Sequence, residues 1–381
     1  MKDMNKTFAV TAALLLSTAP VLAGGIERAP QSLGALFEPD NYAEVNFGRV
    51  KPDVSGTDVP IFGGRDTGGV ADAYGFVGFA YKQQLQDNLS AAFIVEQPYG
   101  ADIAYPVGDS IALGGTSAEV NSTTYTALLR YTMDNGFGVH GGLRGSRADG
   151  EVNLQGAAYG PLSGYNVKLD DDWAAGYVVG VSYEKREIAA RVSLTYNSDI
   201  EHEFDTRESL GGFPLGGESR TKVHTPRSWN LEGQTGVAPG TLVFGSIRWV
   251  KWSEFKVNPQ VLVSAPPAGF GVTDGLVELE DSTTFTLGVG RKFTENWSGA
   301  ASITYEKSED DDLVSPLAPT NGRKGISLAA IYTQDKFKVT TGISYFKLGD
   351  ARAETDTPDV ARAEMEGNDA IGIGMKIGYT F

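Results

Sequence analysis

The chain has no cysteine, only three histidines, and 32 basic against 48 acidic side chains. Without cysteine there is no disulfide framework, no thiolate metal site and no thiol nucleophile, so nothing in it depends on redox state. A net charge of −16 excludes nucleic acid as a partner, because phosphates need clustered Lys and Arg. Long hydrophobic runs are also lacking. The 16-residue run Phe8–Ala23 falls short of the roughly 20 residues that a spanning helix needs, and no longer one follows. Histidine chemistry has little support: His140 sits on an inward parity, His202 and His224 lie near strand ends, and no Ser or Asp stands around them in a hydrolase order. Glu309-Asp310-Asp311-Asp312 lacks the spaced ligands and turn glycine of a calcium loop and reads as a solvated tip. No enzyme activity, catalytic residue, cofactor or metal is expected.

The first residues read as a processing segment. Lys2 and Lys6 form a short basic region, Phe8–Leu16 an apolar one, and Val21-Leu22-Ala23 the small-residue pattern of a signal-peptidase site. Residues 1–23 are therefore expected to be a signal peptide, with a mature chain that starts near Gly24 and carries a charge of −17 once two Lys and one Asp are removed. The protein is expected to be exported.

What is present is period-two alternation. Ile371, Ile373, Met375, Ile377, Tyr379 and Phe381 share one parity, with Gly372, Gly374, Lys376, Gly378 and Thr380 on the other. The same split recurs around Trp173–Tyr183 and Phe337–Tyr345. A soluble sandwich and a transmembrane barrel both produce this pattern, so the connections have to decide. Fourteen candidate strands start near Asn41, Asp72, Asp87, Ala118, Phe137, Tyr165, Glu187, Arg220, Thr241, Gly275, Asn296, Asn321, Lys336 and Asn368. Tight turns such as Asp134-Asn135-Gly136 and Ala238-Pro239-Gly240 alternate with long loops such as 51–71, 98–114 and 258–274. Strict alternation of short and long connections fits an even-stranded outer-membrane barrel with periplasmic turns and extracellular loops; a sandwich gives no reason for it. Trp173, Trp297, Phe137 and Phe337 are read as opening strands after short turns, with Tyr183, Tyr196, Tyr305 and Tyr345 one crossing later, as interfacial girdles require. The expected fold is all-β: a transmembrane antiparallel up-and-down barrel of 14 strands spanning residues 41–381, in the cell outer membrane.

Several segments resemble the outer-membrane fatty-acid and hydrocarbon transporters of the FadL/TodX type. They are Leu169-Asp170-Asp171-Asp172-Trp173 through Leu194-Thr195-Tyr196-Asn197-Ser198, Thr225-Pro226-Arg227-Ser228-Trp229 through Trp249-Val250-Lys251-Trp252-Ser253-Glu254-Phe255, Glu38-Pro39 through Ser55-Gly56, and Thr341-Gly342-Ile343-Ser344-Tyr345. The resemblance runs from about Phe37 to Phe381 and implies a fourteen-stranded barrel blocked by an N-terminal hatch, here residues 24–40. It also implies capture of apolar ligands outside and sideways release through a kink in the third strand. Gln97-Pro98-Tyr99-Gly100 fits that kink, since proline removes a ladder donor and glycine weakens pairing, so Pro98, Tyr99 and Gly100 are the candidate lateral gate. The sequence departs from the family in its short hatch and in lacking an Asn-Pro-Ala signature.

Arg130, Arg144, Arg191 and Glu184 share the inward parity, where they either pair across the lumen or hold a ligand's polar head. Arg147 is ambiguous in parity because Gly145 could host a bulge. Tyr159, Leu162, Leu210, Phe213 and Leu215 are apolar loop residues of the kind that form a capture surface. The leading functional reading is passive uptake of a hydrophobic small molecule, either long-chain fatty acids or aromatic hydrocarbons. Its partners are outer-membrane lipid and lipopolysaccharide, and barrel-assembly machinery during biogenesis, with a monomeric state. The alternatives are a general diffusion porin for polar solutes and a structural or receptor barrel without transport.

Overall fold

Alternating apolar and small or polar residues lets one face of every strand meet lipid while the other fills a lumen, and closure leaves no backbone edge unpaired. In the computed structural model, which describes residues 26–29, 31–308, 312–355 and 359–381, the chain forms one closed antiparallel sheet. The fourteen strands are β1 (Tyr42–Asp53), β2 (Tyr74–Gln86), β3 (Leu89–Glu96 and Gly100–Ala104), β4 (Ser117–Thr132), β5 (Phe137–Leu154), β6 (Tyr165–Lys185), β7 (Ala190–Asn197 and Ile200–Leu210), β8 (Ser219–Thr225 and Ser228–Ala238), β9 (Thr241–Val250), β10 (Ser282–Lys292), β11 (Trp297–Glu306), β12 (Arg323–Gln334), β13 (Phe337–Leu348) and β14 (Asp369–Thr380). β1 closes the barrel by pairing with β14 from Tyr42↔Thr380 to Asp53↔Asp369, and with β2 on its other edge.

Outward parity carries the large apolar groups: Leu143, Val77, Ile303 and Ile373 are all more than half exposed, as lipid-facing side chains in a barrel must be. Inward parity carries the opposite kind, with Arg130, Arg144, Ser193, Thr195 and Arg248 buried in the interior. Residues 26–29 and 31–38 lie inside the barrel, where Leu33, Ala35 and Leu36 pack on Tyr42, Ala80, Ile94 and Leu128. At the long-loop end, a four-stranded sheet of Thr57–Asp58, Leu313–Val314, Ala351–Glu354 and Ala361–Met365 joins three loops over the lumen.

The expected strand starts agree with the observed ones within a few residues at thirteen of fourteen strands. The exception is β10, expected near Gly275 and found at Ser282. The apolar residues Leu276, Val277 and Leu279 that suggested an earlier start are buried in the large core at the loop end, so their apolarity serves loop packing. One girdle assignment is reversed. β6 begins after the long connection 155–164, so Trp173 lies toward the loop end, stacked on Tyr125, and Tyr183 lies at the turn end against Phe137. β6 is 21 residues long and begins well beyond the lipid-facing band, which moved the expected level of Trp173 to the wrong rim.

Candidate functional site

The two widest breaks in the wall's ladder lie between β2 and β3 and between β6 and β7. Between β2 and β3, pairing stops at Phe79↔Val95 and resumes only at Ala71↔Ile103. Between β6 and β7 it stops at Val178↔Asn197 and resumes at Leu169↔Thr206. The second seam is filled: a Cβ on Gly176 would lie 2.6 Å from Ser198 Oγ, and His202 Nδ1 meets Asp172 Oδ2 at 3.0 Å across it. The first seam is filled only in part. An outer recess of about 720 Å3 lies over it, lined by Phe47, Gly75, Val77, Gln97, Thr123 and Met375 among others. A second recess of about 80 Å3, reaching the luminal Ala29, Ser32, Gly34 and Ala35, shares Phe76, Val77, Val95 and Gln97 with it. Two side chains reach into the seam: Gln97, whose Oε1 accepts from Val77 N–H at 3.2 Å, and Arg28, whose guanidinium lies 4.5 Å from the centroid of the Tyr74 ring and against Gly100.

The cause of the opening is local. Proline at 98 has no N–H to offer β2, and the chain from Gln97 to Gly100 turns into the lumen instead of continuing the wall. There it pairs with the N-terminal segment. Arg28 N–H and Ala29 N–H donate to the Pro98 carbonyl at 2.7 and 3.2 Å, Gly100 N–H donates to the Ile26 carbonyl at 2.8 Å, and Glu27 and Tyr99 form a β-bridge. Tyr99 is buried against Trp252 at a ring separation of 5.8 Å; its hydroxyl accepts from Gln31 Nε2 at 3.1 Å and donates to the Pro226 carbonyl at 3.3 Å. Pro98, Tyr99 and Gly100 thus come together beside the opening, facing the lumen. A side chain at 100 would displace the Arg28 guanidinium, which lies 2.6 Å from where its Cβ would fall.

Contacts with cationic side chains of the wall hold the luminal segment at both ends. Near its start, Glu27 pairs with Arg248 of β9, whose Nε donates to Glu27 Oε1 at 2.8 Å, while Asn230 and Ser228 accept from Arg248 Nη1. Near its end, Arg130 and Arg191 lie over the Phe37 ring, 4.7 and 4.3 Å from its centroid, and His140 meets the ring edge-on. Arg130 also pairs with Glu184 at 2.6 Å, the lumen pairing that their shared parity suggested. Lys338–Glu38 and Lys376–Glu44 add ion pairs at the same level.

The remaining sequence candidates divide. Arg144 is buried in the lumen near Glu96, Tyr99 and Arg248, and its Nη2 has no hydrogen-bond partner among the described residues. Arg147 points out of the barrel and meets Asp171 at 3.3 Å; the register shift in β5 falls after it, between Ala148 and Gly150. It is therefore not a luminal residue. Tyr159, Leu162, Leu210 and Leu215 pack against the apolar core that fills the loop end, whereas Phe213, at the tip of a hairpin, is 79% exposed to solvent. In the same region burial holds the Tyr105 hydroxyl well above its usual pKa, keeping it a neutral donor to the Pro316 carbonyl at 3.0 Å. Glu208 accepts from Tyr165 and from the amides of Val261 and Leu262, which fixes the one-turn helix Gln260–Val263 over the lumen. Sequence reasoning missed Glu27, Phe37, Trp252 and Arg248, because their roles depend on a segment whose path inside the barrel no strand pattern encodes. Residues 1–23 and 309–311 lie outside the described residues; Asp312, the last of the acidic run, pairs with Arg352.

Comparisons with known proteins bear on the whole arrangement. The profile of the family described as outer membrane protein transport protein (OMPP1/FadL/TodX) matches residues 35–381. A crystal structure of a Pseudomonas aeruginosa FadL homologue superposes with a TM-score of 0.75 at 14% identity, covering 96% of this chain and 97% of the other. The P. putida toluene transporter TodX gives 0.64 at 15% identity over 97% and 94%. The Ralstonia pickettii toluene transporter TbuX gives 0.62 at 11% over 96% and 98%. A search of curated protein sequences returns no significant match. The structural likenesses establish the fold and the profile establishes the family: the chain belongs to the OMPP1/FadL/TodX family of outer-membrane β-barrel transport proteins for hydrophobic compounds, and is not an enzyme.

Proposed function

We propose that this protein takes up an apolar small molecule by capture at the extracellular loops, passage into the lumen and sideways release into the membrane through the opening between β2 and β3. The observation that carries the reading is the pair of recesses, outside and inside, that meet at Val77, Val95 and Gln97. Tyr159, Leu162, Leu210 and Leu215 supply an apolar entrance continuous with the core around Tyr99 and Trp252. The toluene transporters among the structural relatives support an aromatic hydrocarbon as ligand. So does the charge arrangement, because Arg130 and Arg191 are engaged by Phe37 and Arg248 by Glu27. A long-chain fatty acid is the second reading, favoured by the unpartnered Nη2 of Arg144, which could meet a carboxylate. The porin reading is disfavoured by a lumen filled by its own N-terminal segment.

The test fills the outer mouth of the opening. Gly75 is exposed on the lipid face, and a Cβ there meets only the Gly48 carbonyl at an ordinary 3.5 Å, so Gly75→Trp should fold normally and cover the exit. Uptake of a labelled alkylbenzene and of a labelled fatty acid is compared in cells at equal surface expression. Lateral release requires at least a tenfold fall in uptake of the transported ligand. Undiminished uptake of both would mean that the ligand leaves by another route.

A further inference from the structure

On the lipid-facing side, far from the opening, cross-strand register places six outward residues in one row: Leu231↔Ile247↔Phe285↔Tyr305↔Lys324↔Lys347, from β8 to β13. The row slopes across the membrane because the strands are tilted by roughly 40°. Lys324 and Lys347 stand ten residues from the Gln334-Asp335 turn, whereas Ile247 stands six from Thr241. The lysine end is therefore at the extracellular rim and the leucine end well inside the hydrocarbon.

The two ends have complementary character. Lys324 and Lys347 are exposed and directly opposite each other, and neither ammonium has an ion-pair partner within 4 Å among the described residues. Asp369 is opposite Lys347 on its other side, but its carboxylate accepts from the Tyr345 hydroxyl at 3.1 Å. Like charges directly opposed across an antiparallel pair repel, and a bridging anion removes that cost. Below them runs an apolar groove of about 480 Å3, floored by the opposed glycines Gly233 and Gly245 and walled by Ile247, Leu287, Ile303 and Tyr305. From β9 to β13 the row covers about 19 Å at ~4.8 Å per strand, which at a tilt of ~40° is a descent of about 12 Å, within the ~15 Å depth of one leaflet.

We propose that this face is a binding site for a phosphorylated, multiply acylated glycolipid of the outer leaflet, with a phosphate between Lys324 and Lys347 and one acyl chain in the Gly233–Gly245 groove. The inference is independent of what the lumen transports. It differs from general lipid contact in requiring both the charge pair and the groove.

The purified protein in detergent is titrated with bisphosphorylated hexa-acyl lipid A, with the same lipid stripped of its phosphates, and with inorganic phosphate as competitor, counting bound lipid by native mass spectrometry. The wild type should bind the phosphorylated form at least tenfold more tightly than the stripped one. Lys324→Gln with Lys347→Gln should abolish that ratio. Gly233→Leu, whose Cβ meets nothing closer than 3.9 Å, should weaken both forms several-fold and keep the ratio. Compact migration of unboiled samples on a gel verifies that each variant is folded. Equal affinity of wild type and double-lysine variant for bisphosphorylated lipid A would overturn the proposal. So would displacement of the lipid by millimolar phosphate together with no effect of Gly233→Leu, which would assign the lysines to free anions.

Discussion

Replacing Glu27 by glutamine tests what keeps the luminal segment in place. The Glu27 and Arg248 side chains are 10% and 6% exposed, so the pair is buried. Removing one member of a buried ion pair costs about 3–5 kcal/mol because the other charge is left without compensation. Glutamine keeps an acceptor oxygen, and Arg248 retains Asn230 at 2.6 Å and Ser228 at 3.1 Å, which places this case near the lower bound, about 3 kcal/mol. At 1.4 kcal/mol per factor of ten, the population with the segment displaced should rise on the order of a hundredfold. The chain has no native cysteine, so a single Leu33→Cys, at a position 5% exposed and packed on the wall, reports displacement by maleimide labelling without background. Leu33→Cys alone and Leu33→Cys with Glu27→Gln are labelled in parallel, so any cost of the cysteine is common to both. A labelling rate within twofold of the parent would show that the ion pair does not hold the segment, and the anchoring argument would fail.

Phe37→Ala removes the ring that Arg130 and Arg191 cover, forfeiting two cation–π contacts of about 0.5–2 kcal/mol each; ion leakage through single barrels in a planar bilayer should increase, and an unchanged leak would mean that Phe37 does not seal the periplasmic end. Gly142→Ala should prevent barrel assembly, because its Cβ would lie 1.9 Å from the Ala127 carbonyl oxygen, whereas Gly145→Ala, with open space, should assemble normally. Heat-dependent migration of the two variants checks this, and a folded Gly142→Ala would contradict the close strand approach.

The barrel was legible because its rules are local. Alternation such as Ile371, Ile373, Met375, Ile377 marks a strand, and turns such as Asp134-Asn135-Gly136 mark its end, so strand number followed from turn spacing alone. The break at Pro98 was legible for the same reason, a missing donor in a strand that otherwise runs on. Legibility ended where side chains answer to distant partners. Arg130 and Arg191 were readable as luminal, but their engagement by Phe37 depends on contacts 93 and 154 positions apart in the chain. Leu276, Val277 and Leu279 have the composition of a strand and serve a loop, because burial in a shared core imposes no period.

The backbone bonds between the N-terminal segment and the broken strand bear on the proposed release route. The Pro98 carbonyl and the Gly100 amide can be satisfied by Ile26–Ala29 or by the free edge of β2, and not by both at once. With the segment in the lumen, the third strand is drawn inward at Pro98–Gly100 and the β2–β3 ladder stays open there. Were the segment to withdraw, the groups it leaves would be free to pair with β2, which would close the gap in the wall as the axial passage clears. On the proposed release route the two exits would then act as the doors of an airlock, letting an apolar molecule leave sideways without opening an axial hole to other solutes.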